Sequence, residues 1–303
     1  MKLIAPDYYR EFRCIADKCR HSCCIGWEID IDPDTREKYR RVPGDFGARL
    51  NASIEDGEVS TFRLGAGERC PMLNASGLCD LITTLGEENL CQICADHPRF
   101  RSFLTDRTEI GLGLCCEEAA RLILTREAPM QLLAIEDDGI DEALPKEEAD
   151  MLDLRTELIA LLQDRTRPIE ARLDALLAAV DFAIPEQDWA AVYRGLERLD
   201  PSWDDALDML AAPADSPAHL HIPLENFCVY MLYRHLPGAL EDDDIPGRVA
   251  FCVLSTQVLS ALCAAKEGCT ITDLIDFARM YSAEIEYSED NIAALLDALW
   301  EEA

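Results

Sequence analysis

The spacing of apolar residues predicts helices in the C-terminal half of the chain. In residues 149–303 apolar side chains recur every three or four positions, as at Met151 and Leu154, which is the spacing of one buried helix face. Thr270 followed three positions later by Asp273 has the form of a capping box that begins a helix. This half is therefore predicted to be a helical bundle.

The N-terminal part of the chain lacks this periodicity. Residues 1–130 are rich in Gly, Pro and Asn, and a short strand is expected only at Trp27–Ile31, where apolar and acidic residues alternate. Residues 131–148 are acidic and contain Gly and Pro, which predicts a linker. The predicted fold is mainly α: a cysteine-rich metal-binding region with little regular strand (1–130), an acidic linker, and a C-terminal helical bundle (149–303).

Charge is distributed unevenly along the sequence and narrows the choice of partners. The formal net charge is −31; residues 1–126 carry 17 Lys and Arg against 21 Asp and Glu, whereas the remainder carries 11 against 38. Such a surface repels phosphate, so no nucleic-acid partner is expected. The acidic half is interpreted as a solvated helical surface, with a docking surface for a basic partner as the alternative.

No membrane span and no export signal are expected. The longest apolar stretch, Cys252 to Ala265, is interrupted by Ser, Thr and Gln, and the first residues lack the apolar core of a secretory signal. The predicted location is the cytoplasm. In a reducing compartment 14 cysteines do not indicate a disulfide framework, so metal ligation is the leading explanation for them.

The first cysteine group is compact. Cys14, Cys19, Cys23 and Cys24 lie within eleven residues and are followed by Gly26, which can supply a tight turn. Four thiols so close together require a loop that folds around a ligand, and soft thiolates select zinc or iron–sulfur centres. The adjacent Cys23 and Cys24 serve either two irons of one cluster or two separate sites.

The second cysteine group is spread over a longer segment. Its members are Cys70, Cys79, Cys91, Cys94, Cys115 and Cys116. The CxxC pair in this group suits metal ligation, and its redox alternative lacks a surrounding βαβ pattern. Ten cysteines exceed the needs of one centre, so either two sites exist or some thiols are simply buried. The last four cysteines lie among apolar residues and are expected in the core: Cys228, Cys252, Cys263 and Cys269.

A cationic segment separates the last two cysteine pairs of the second group. It contains His97, Arg99 and Arg101, with Pro98 between the first two. One interpretation is that these side chains hydrogen-bond the backbone and offset thiolate charge. The other is a cationic pocket for a carboxylate or similar anionic group.

These motifs together resemble the flagellin lysine-N-methylase family, over nearly the whole chain. The motifs are Cys14-x4-Cys19-x3-Cys23-Cys24-x-Gly26-Trp27, Cys70-Pro71-Met72-Leu73, Leu78-Cys79, Cys94-x3-Pro98-Arg99, Leu114-Cys115-Cys116-Glu117-Glu118, Leu196-Glu197 with Leu199-Asp200 and Trp203, and Glu225-Asn226 with Tyr233-Arg234-His235. The cysteine region also resembles a class of zinc- or iron-chelating proteins with a CxxCxxCC signature, although the first spacing is wider here.

The resemblance implies a function, a cofactor and a set of ligands. It implies methylation of lysine side chains on flagellin or a similar protein, S-adenosylmethionine as donor, and an iron–sulfur cluster of the 4Fe-4S type, with zinc as the alternative. Eight cysteines match the recurrent pattern: Cys14, Cys19, Cys23, Cys24, Cys70, Cys79, Cys94 and Cys116. Cys91 and Cys115 are additional to that pattern.

The residues alone do not lead to methyl transfer. The sequence contains neither a strand–GxGxG–helix signature nor the Cx3Cx2C loop of radical S-adenosylmethionine enzymes. Candidates for donor binding are Trp27, Arg99 and Arg101, and candidates for catalysis are Glu28, Tyr233 and His235. A satisfied core network is the alternative for Tyr233 and His235. The rival functions are a non-catalytic iron–sulfur or zinc-binding interaction module and an electron-transfer protein; the sequence leaves the oligomeric state open.

Overall fold

The computed structural model describes residues 1–140, 142–199, 202–210 and 216–301. The chain divides into two compact units. Arg13–Arg99 form the first, called here the cysteine unit, and Met1–Phe12 together with Phe100–Ala303 form the second, called here the helical unit. The protein is mainly α, as predicted.

The regular elements follow one another along the described residues. The strands are β1 (Lys2–Pro6), β2 (Asp30–Ile31), β3 (Ile54–Glu55), β4 (Ser60–Phe62), β5 (Arg99–Phe103), β6 (Arg107–Leu112) and β7 (Leu132–Asp137). The helices are α1 (Pro33–Arg40), α2 (Gly44–Ala52), α3 (Asp80–Leu85), α4 (Gln92–Asp96), α5 (Glu117–Leu124), α6 (Lys146–Leu162), α7 (Ile169–Ala179), α8 (Trp189–Gly195), α9 (Ser202–Met209), α10 (His221–His235), α11 (Ala239–Asp242), α12 (Ile245–Ala265), α13 (Ile271–Tyr281) and α14 (Glu289–Trp300). A π-helical turn, Ser282–Glu286, follows α13.

A four-stranded sheet corrects the predicted domain boundaries. Its order is β5-β6-β1-β7, with β1 parallel to β6 and antiparallel to β7. The predicted linker 131–148 therefore contains a strand, and the N-terminal strand belongs to the helical unit rather than to a cysteine region 1–130. Side chains of β7 are mostly exposed, so the strand carries no apolar alternation, and its pairing with β1 holds it in place.

The cysteine unit contains more strand than predicted. Its three-stranded sheet has the order β2-β4-β3, with antiparallel pairs. The predicted strand Trp27–Ile31 is realised only as Asp30–Ile31, whose Ile31 is buried in the core of this unit. Asp32 ends the strand by accepting a hydrogen bond from the Thr35 N–H at 2.9 Å, which begins α1.

The helical unit is built around α10 and α12, which pack against each other. The predicted capping box at Thr270 is confirmed: its side chain bonds the Asp273 N–H, and the Asp273 carboxylate bonds the Thr270 N–H. Among the described residues one helix, α12, is long and apolar enough to cross a membrane, and 67% of its most apolar stretch is buried inside the protein.

Candidate functional site

Five cysteines meet in the core of the cysteine unit. Cys70 and Cys91 are buried in its hydrophobic cluster, and three more pack against that cluster: Cys24, Cys79 and Cys94. Negative charge on Cys24 and Cys79 would raise the pKa of Cys70, and charge on Cys91, Cys24 and Cys70 would raise the pKa of Cys94. The five sulfurs are thus close enough to interact electrostatically. We call them the thiol cluster.

Local backbone structure brings these residues together. The Cys70 N–H donates to the Cys24 carbonyl at 2.8 Å, and a β-bridge pairs Leu73 with Cys79. Cys79 and Cys91 each occupy the N-cap position of a short helix, α3 and α4. Because the CxxC pair spans the first turn of α4, its two sulfurs lie on the same side of that turn.

Backbone amides act on the acidity of two thiols of the cluster. The amides of Met72 and Leu73 lower the pKa of Cys70, and those of Ile82 and Leu81 lower the pKa of Cys79. Nearby amides help to compensate the charge of a thiolate, which favours metal ligation by these two sulfurs.

Without a cation, burial keeps most of these thiols protonated. Burial raises the pKa of Cys70 to about 11, and it also raises the pKa of Cys79. A hydrogen bond from Cys23 lowers the pKa of Cys24 to about 7. Cys91 and Cys94 share a hydrogen bond that lowers the pKa of Cys91 and raises that of Cys94. A bound metal would release these protons, so its affinity would increase with pH.

The residue types of the thiol cluster, rather than their arrangement, suit a soft metal centre. The thiol cluster offers sulfur ligands in apolar surroundings, which suits zinc or an iron–sulfur cluster. Across residues 1–140, 142–199, 202–210 and 216–301, no group of three or more His, Cys, Asp or Glu side chains is arranged to hold a metal ion. None of the 14 cysteines in the same ranges forms a disulfide.

The predicted ligands divide between the thiol cluster and other positions. Cys14 and Cys23 are exposed, and Cys19 is half-buried with its thiol donating to the His21 carbonyl at 3.1 Å. Cys116 belongs to the helical unit, where it is the N-cap residue of α5. Cys91, which the family pattern leaves out, is fully buried beside Cys94. As expected, four cysteines lie in the core of the helical unit: Cys228, Cys252, Cys263 and Cys269.

The predicted donor-binding residues have mixed surroundings. Trp27 is half-buried, and its indole N–H donates to the Cys23 carbonyl. Arg99 donates from Nη1 to the carbonyls of Ala95, at 3.1 Å, and His97, at 3.5 Å, so its charge lies at the C-terminal end of α4. Arg101 is exposed and stands two residues along β5, in the helical unit.

The three predicted catalytic residues are divided between the two units. Glu28 is exposed in the cysteine unit. In the helical unit, the Tyr233 hydroxyl donates to the carbonyls of Ile110 at 3.2 Å and Ile4 at 3.4 Å, which joins α10 to β6 and β1. His235 Nε2 lies 2.7 Å from a carboxylate oxygen of Glu286. Both side chains therefore have buried hydrogen-bond partners, which favours the alternative that the sequence left open, and only His235 contacts Glu286.

The sequence did not single out Glu286, the centre of a buried polar network that includes His235. Besides His235, this carboxylate accepts from the Tyr230 hydroxyl at 2.8 Å and lies 3.3 Å from Arg234 Nε. Glu286 closes the π-helical turn, a geometry that is frequent at functional sites. A single glutamate does not stand out in a strongly acidic segment of the sequence. Only the density of polar residues near Tyr233 indicated this region. Asp200, part of one family motif, lies outside the described residues.

The Glu286 network predicts a loss of stability in acid. Burial on its own raises the pKa of Glu286, but Arg234 and the hydrogen bond from His235 outweigh burial and hold it at about 2, against an ordinary value of 4.5. A carboxyl whose pKa is depressed by folding stabilises the protein above its unfolded pKa, and this contribution disappears as the pH falls through the folded value. The contribution is on the order of 3 kcal/mol.

Urea unfolding of wild type and Glu286→Gln between pH 7 and pH 2.5 measures this effect. The stability difference between the two proteins should shrink steadily below about pH 4.5, since the wild type alone loses the ionised carboxylate. Glu157→Gln, in an exposed part of α6, controls for the loss of one surface charge. A difference that stays constant down to pH 2.5 contradicts the depressed pKa.

The fold and the thiol cluster describe a mainly α protein with a cysteine-lined candidate metal centre. Sequence comparison identifies proteins that are similar to part of this chain. The chain is 30% identical over 137 residues to proteins named Lysine-N-methylase from Salmonella typhimurium (strain LT2) and Salmonella choleraesuis (strain SC-B67). It is 29% identical over 137 residues to the Flagellar biosynthetic protein FliU of Salmonella muenchen. Each match covers 42% of this chain.

The matches confirm the predicted resemblance to the flagellin lysine-N-methylase family, over part of the chain. The matched region spans 33% of the two lysine-N-methylases and 79% of the FliU protein. No family profile matches the chain. No solved structure matches it either.

Proposed function

We propose that this protein transfers methyl groups from S-adenosylmethionine to lysine side chains of flagellin or a similar protein, and that it holds a cysteine-ligated iron–sulfur centre. The observation that carries the proposal is its similarity to two lysine-N-methylases. The thiol cluster supports the metal centre, because five sulfurs gather in one apolar core where backbone amides lower the pKa of two of them.

The thiol cluster supplies the ligands in this proposal. Cys91 is the N-cap residue of α4 and Cys94 lies in its first turn. Cys79 is the N-cap residue of α3, and a backbone hydrogen bond joins Cys24 and Cys70. When bound, an iron–sulfur centre supplies positive charge that stabilises thiolates and can also supply one-electron chemistry. Zinc would supply only the charge. In either case the metal ties together segments that share a small hydrophobic core.

Methyl transfer sets requirements on the protein that do not involve the metal. The neutral lysine amine attacks the methyl carbon, a carbon–nitrogen bond forms, and the carbon–sulfur bond breaks with its electrons remaining on the thioether product. The amine starts with a pKa near 10.4, so the site must lower that pKa or accept a proton. Glu28 is the exposed candidate for this role. The hydrogen bonds of Tyr233 and His235 support structural roles for these two residues instead.

Two measurements on anaerobically purified protein test the proposal. Calorimetry with S-adenosylmethionine measures donor binding, and mass spectrometry of flagellin incubated with protein and donor measures methyl addition. The proposal expects binding and the mass gain of at least one methyl group. Absence of both, in protein that retains its metal, would favour the non-catalytic interaction module. The absorption spectrum separates iron–sulfur, which has a broad shoulder in the visible range, from colourless zinc.

Arg99→Lys tests whether the guanidinium group binds S-adenosylmethionine. If two guanidinium nitrogens of Arg99 bind the donor carboxylate, lysine keeps the charge but loses this two-point contact. Donor affinity should then fall by roughly tenfold. If Arg99 serves the C-terminal end of α4, as its bonds to Ala95 and His97 indicate, the substitution should lower metal content instead. Donor affinity and iron content are measured on the same preparation.

Arg63→Lys is the matched control, because this arginine is exposed in the same unit as Arg99 and is not a candidate for donor binding. Unchanged donor affinity together with depleted iron in Arg99→Lys would remove Arg99 from the donor site. Unchanged affinity and unchanged iron content in both variants would mean that general positive charge, which lysine retains, attracts the donor rather than a bidentate contact.

A further inference from the structure

The helical unit contains a cavity that the proposed metal centre does not use. Its volume is about 500 Å³, within the range of small-molecule sites. Its apolar floor is formed by buried side chains of α7, α10 and α12: Leu173, Leu224, Leu254 and Val258. The half-buried Trp189, the first residue of α8, adds an aromatic wall. An apolar chain of several carbons could therefore be buried here.

The remaining lining gives the cavity a negative charge. Glu170 and Asp174 lie one turn apart on α7, and Asp188 precedes α8 as its N-cap residue. Among the described lining residues none is Lys, Arg or His. Outside the lining, His221 Nε2 lies 4.0 Å from a Glu170 carboxylate oxygen, and the Arg167 guanidinium donates to the Ala171 carbonyl of α7 at 2.8 Å. An anionic ligand is disfavoured, and a cation beside an apolar chain is favoured.

We infer that this cavity binds a lysine side chain presented by a protein or peptide. The four methylene groups would lie on the leucine floor, and the ammonium group would reach the carboxylates of Glu170 and Asp174. Trp189 can add a cation–π contact to the same ammonium. The volume exceeds the needs of one side chain, which leaves space for neighbouring peptide residues. As a subsite for the methyl acceptor the inference rests on the proposed function; as a lysine-binding site it does not.

The test compares two acetylated and amidated pentapeptides with the full protein, one with lysine at its centre and one with norleucine. Norleucine keeps the apolar chain and removes the charge. By calorimetry or ligand-observed NMR the lysine peptide should bind several-fold more tightly at 50 mM salt. That advantage should shrink at 500 mM salt, because exposed charges are then screened.

Asp174→Asn is the diagnostic substitution, and Asp153→Asn is its matched control. Both aspartates are exposed on helices of the same unit, but only Asp174 lines the cavity. Asp174→Asn should weaken the lysine peptide by roughly two- to fivefold, as expected for one exposed ion pair, and Asp153→Asn should not. Ala261→Phe, which adds bulk to the lining, should weaken both peptides.

Other outcomes separate this inference from the proposed function. Equal binding of the lysine and norleucine peptides, or equal effects of the two asparagine variants, would overturn the lysine site. Flagellin methylation with an unchanged KM in Glu170→Gln/Asp174→Asn would uphold the proposed function and overturn this inference as an acceptor subsite. Charge-dependent peptide binding without any binding of S-adenosylmethionine would uphold the site and remove the methyltransferase.

Discussion

With the proposed metal centre in the thiol cluster, Cys94→Ser is expected to remove most of the metal and to unfold the cysteine unit. Cys94 interacts with three other thiols of the cluster, and the unit has only a small hydrophobic core besides its sulfurs. Metal binding of this kind contributes folding free energy directly, about 10 kcal/mol or more in small zinc domains. Iron and zinc analysis, together with limited proteolysis of residues 13–99, measures both losses.

A matched control uses a cysteine outside the cluster. Cys263 is fully buried in the helical unit, so Cys263→Ser should cost roughly 1–2 kcal/mol and leave the metal content unchanged. If Cys94→Ser and Cys263→Ser retain equal amounts of metal, Cys94 is not a ligand. Cys263 is fully buried and Cys94 only partly, so the control places a hydroxyl in the more buried position and tests for a general effect of that change.

Variants of Cys91 and Cys14 test whether the structure or the family pattern identifies the metal ligands correctly. The family pattern includes Cys14 and omits Cys91, whereas the structure buries Cys91 beside Cys94 and leaves Cys14 exposed. Cys91→Ser should therefore deplete metal as strongly as Cys94→Ser, and Cys14→Ser should deplete it less. The reverse order would restore the eight-cysteine set predicted from the resemblance.

Spacing along the chain predicts elements well and their partners poorly. The helical half was evident because apolar residues repeat at helical intervals, and the capping box at Thr270 follows from two residues three positions apart. The pairing of β1 with β7 joins residues over 120 positions apart, and β7 has almost no buried side chain to reveal it. No local pattern encodes such a contact, so the domain boundary was misplaced.

The same limit applies to the candidate site. Cysteine chemistry identified the metal-binding region, but which thiols converge depends on the turns that place Cys24 beside Cys70 and on the short helices that begin at Cys79 and Cys91. The apolar floor of the lysine-binding cavity comes from helices far apart in sequence, α7, α10 and α12, and Glu286 meets partners on α10 that are more than 50 positions away. Among 59 acidic residues, Glu286 and those that line the cavity become distinctive only through burial or through what they face.

Arg155→Met is expected to destabilise the helical unit by about 3–5 kcal/mol, the largest effect predicted for one residue of this unit. Arg155 on α6 donates from Nη1 and Nη2 to the two carboxylate oxygens of Glu109 on β6, at 2.7 and 2.6 Å. The two side chains are only 3% and 1% exposed. Removing the arginine leaves an uncompensated carboxylate in the core, and that penalty exceeds the value of the ion pair itself.

A double variant distinguishes the cost of an unpaired buried carboxylate from the net contribution of the ion pair. Glu109→Leu/Arg155→Met should regain most of the stability lost in Arg155→Met, because two apolar side chains then replace two buried charges. Arg194→Met provides the exposed comparison, since Arg194 is 44% exposed and pairs with the 76% exposed Asp208; its cost should stay below about 1 kcal/mol. Urea unfolding followed by far-ultraviolet circular dichroism gives all four free energies. A double variant no more stable than Arg155→Met would mean that Glu109 is not left as an unpaired charge, and that lost packing against the Tyr233 ring, 5.2 Å from the guanidinium, accounts for the effect instead.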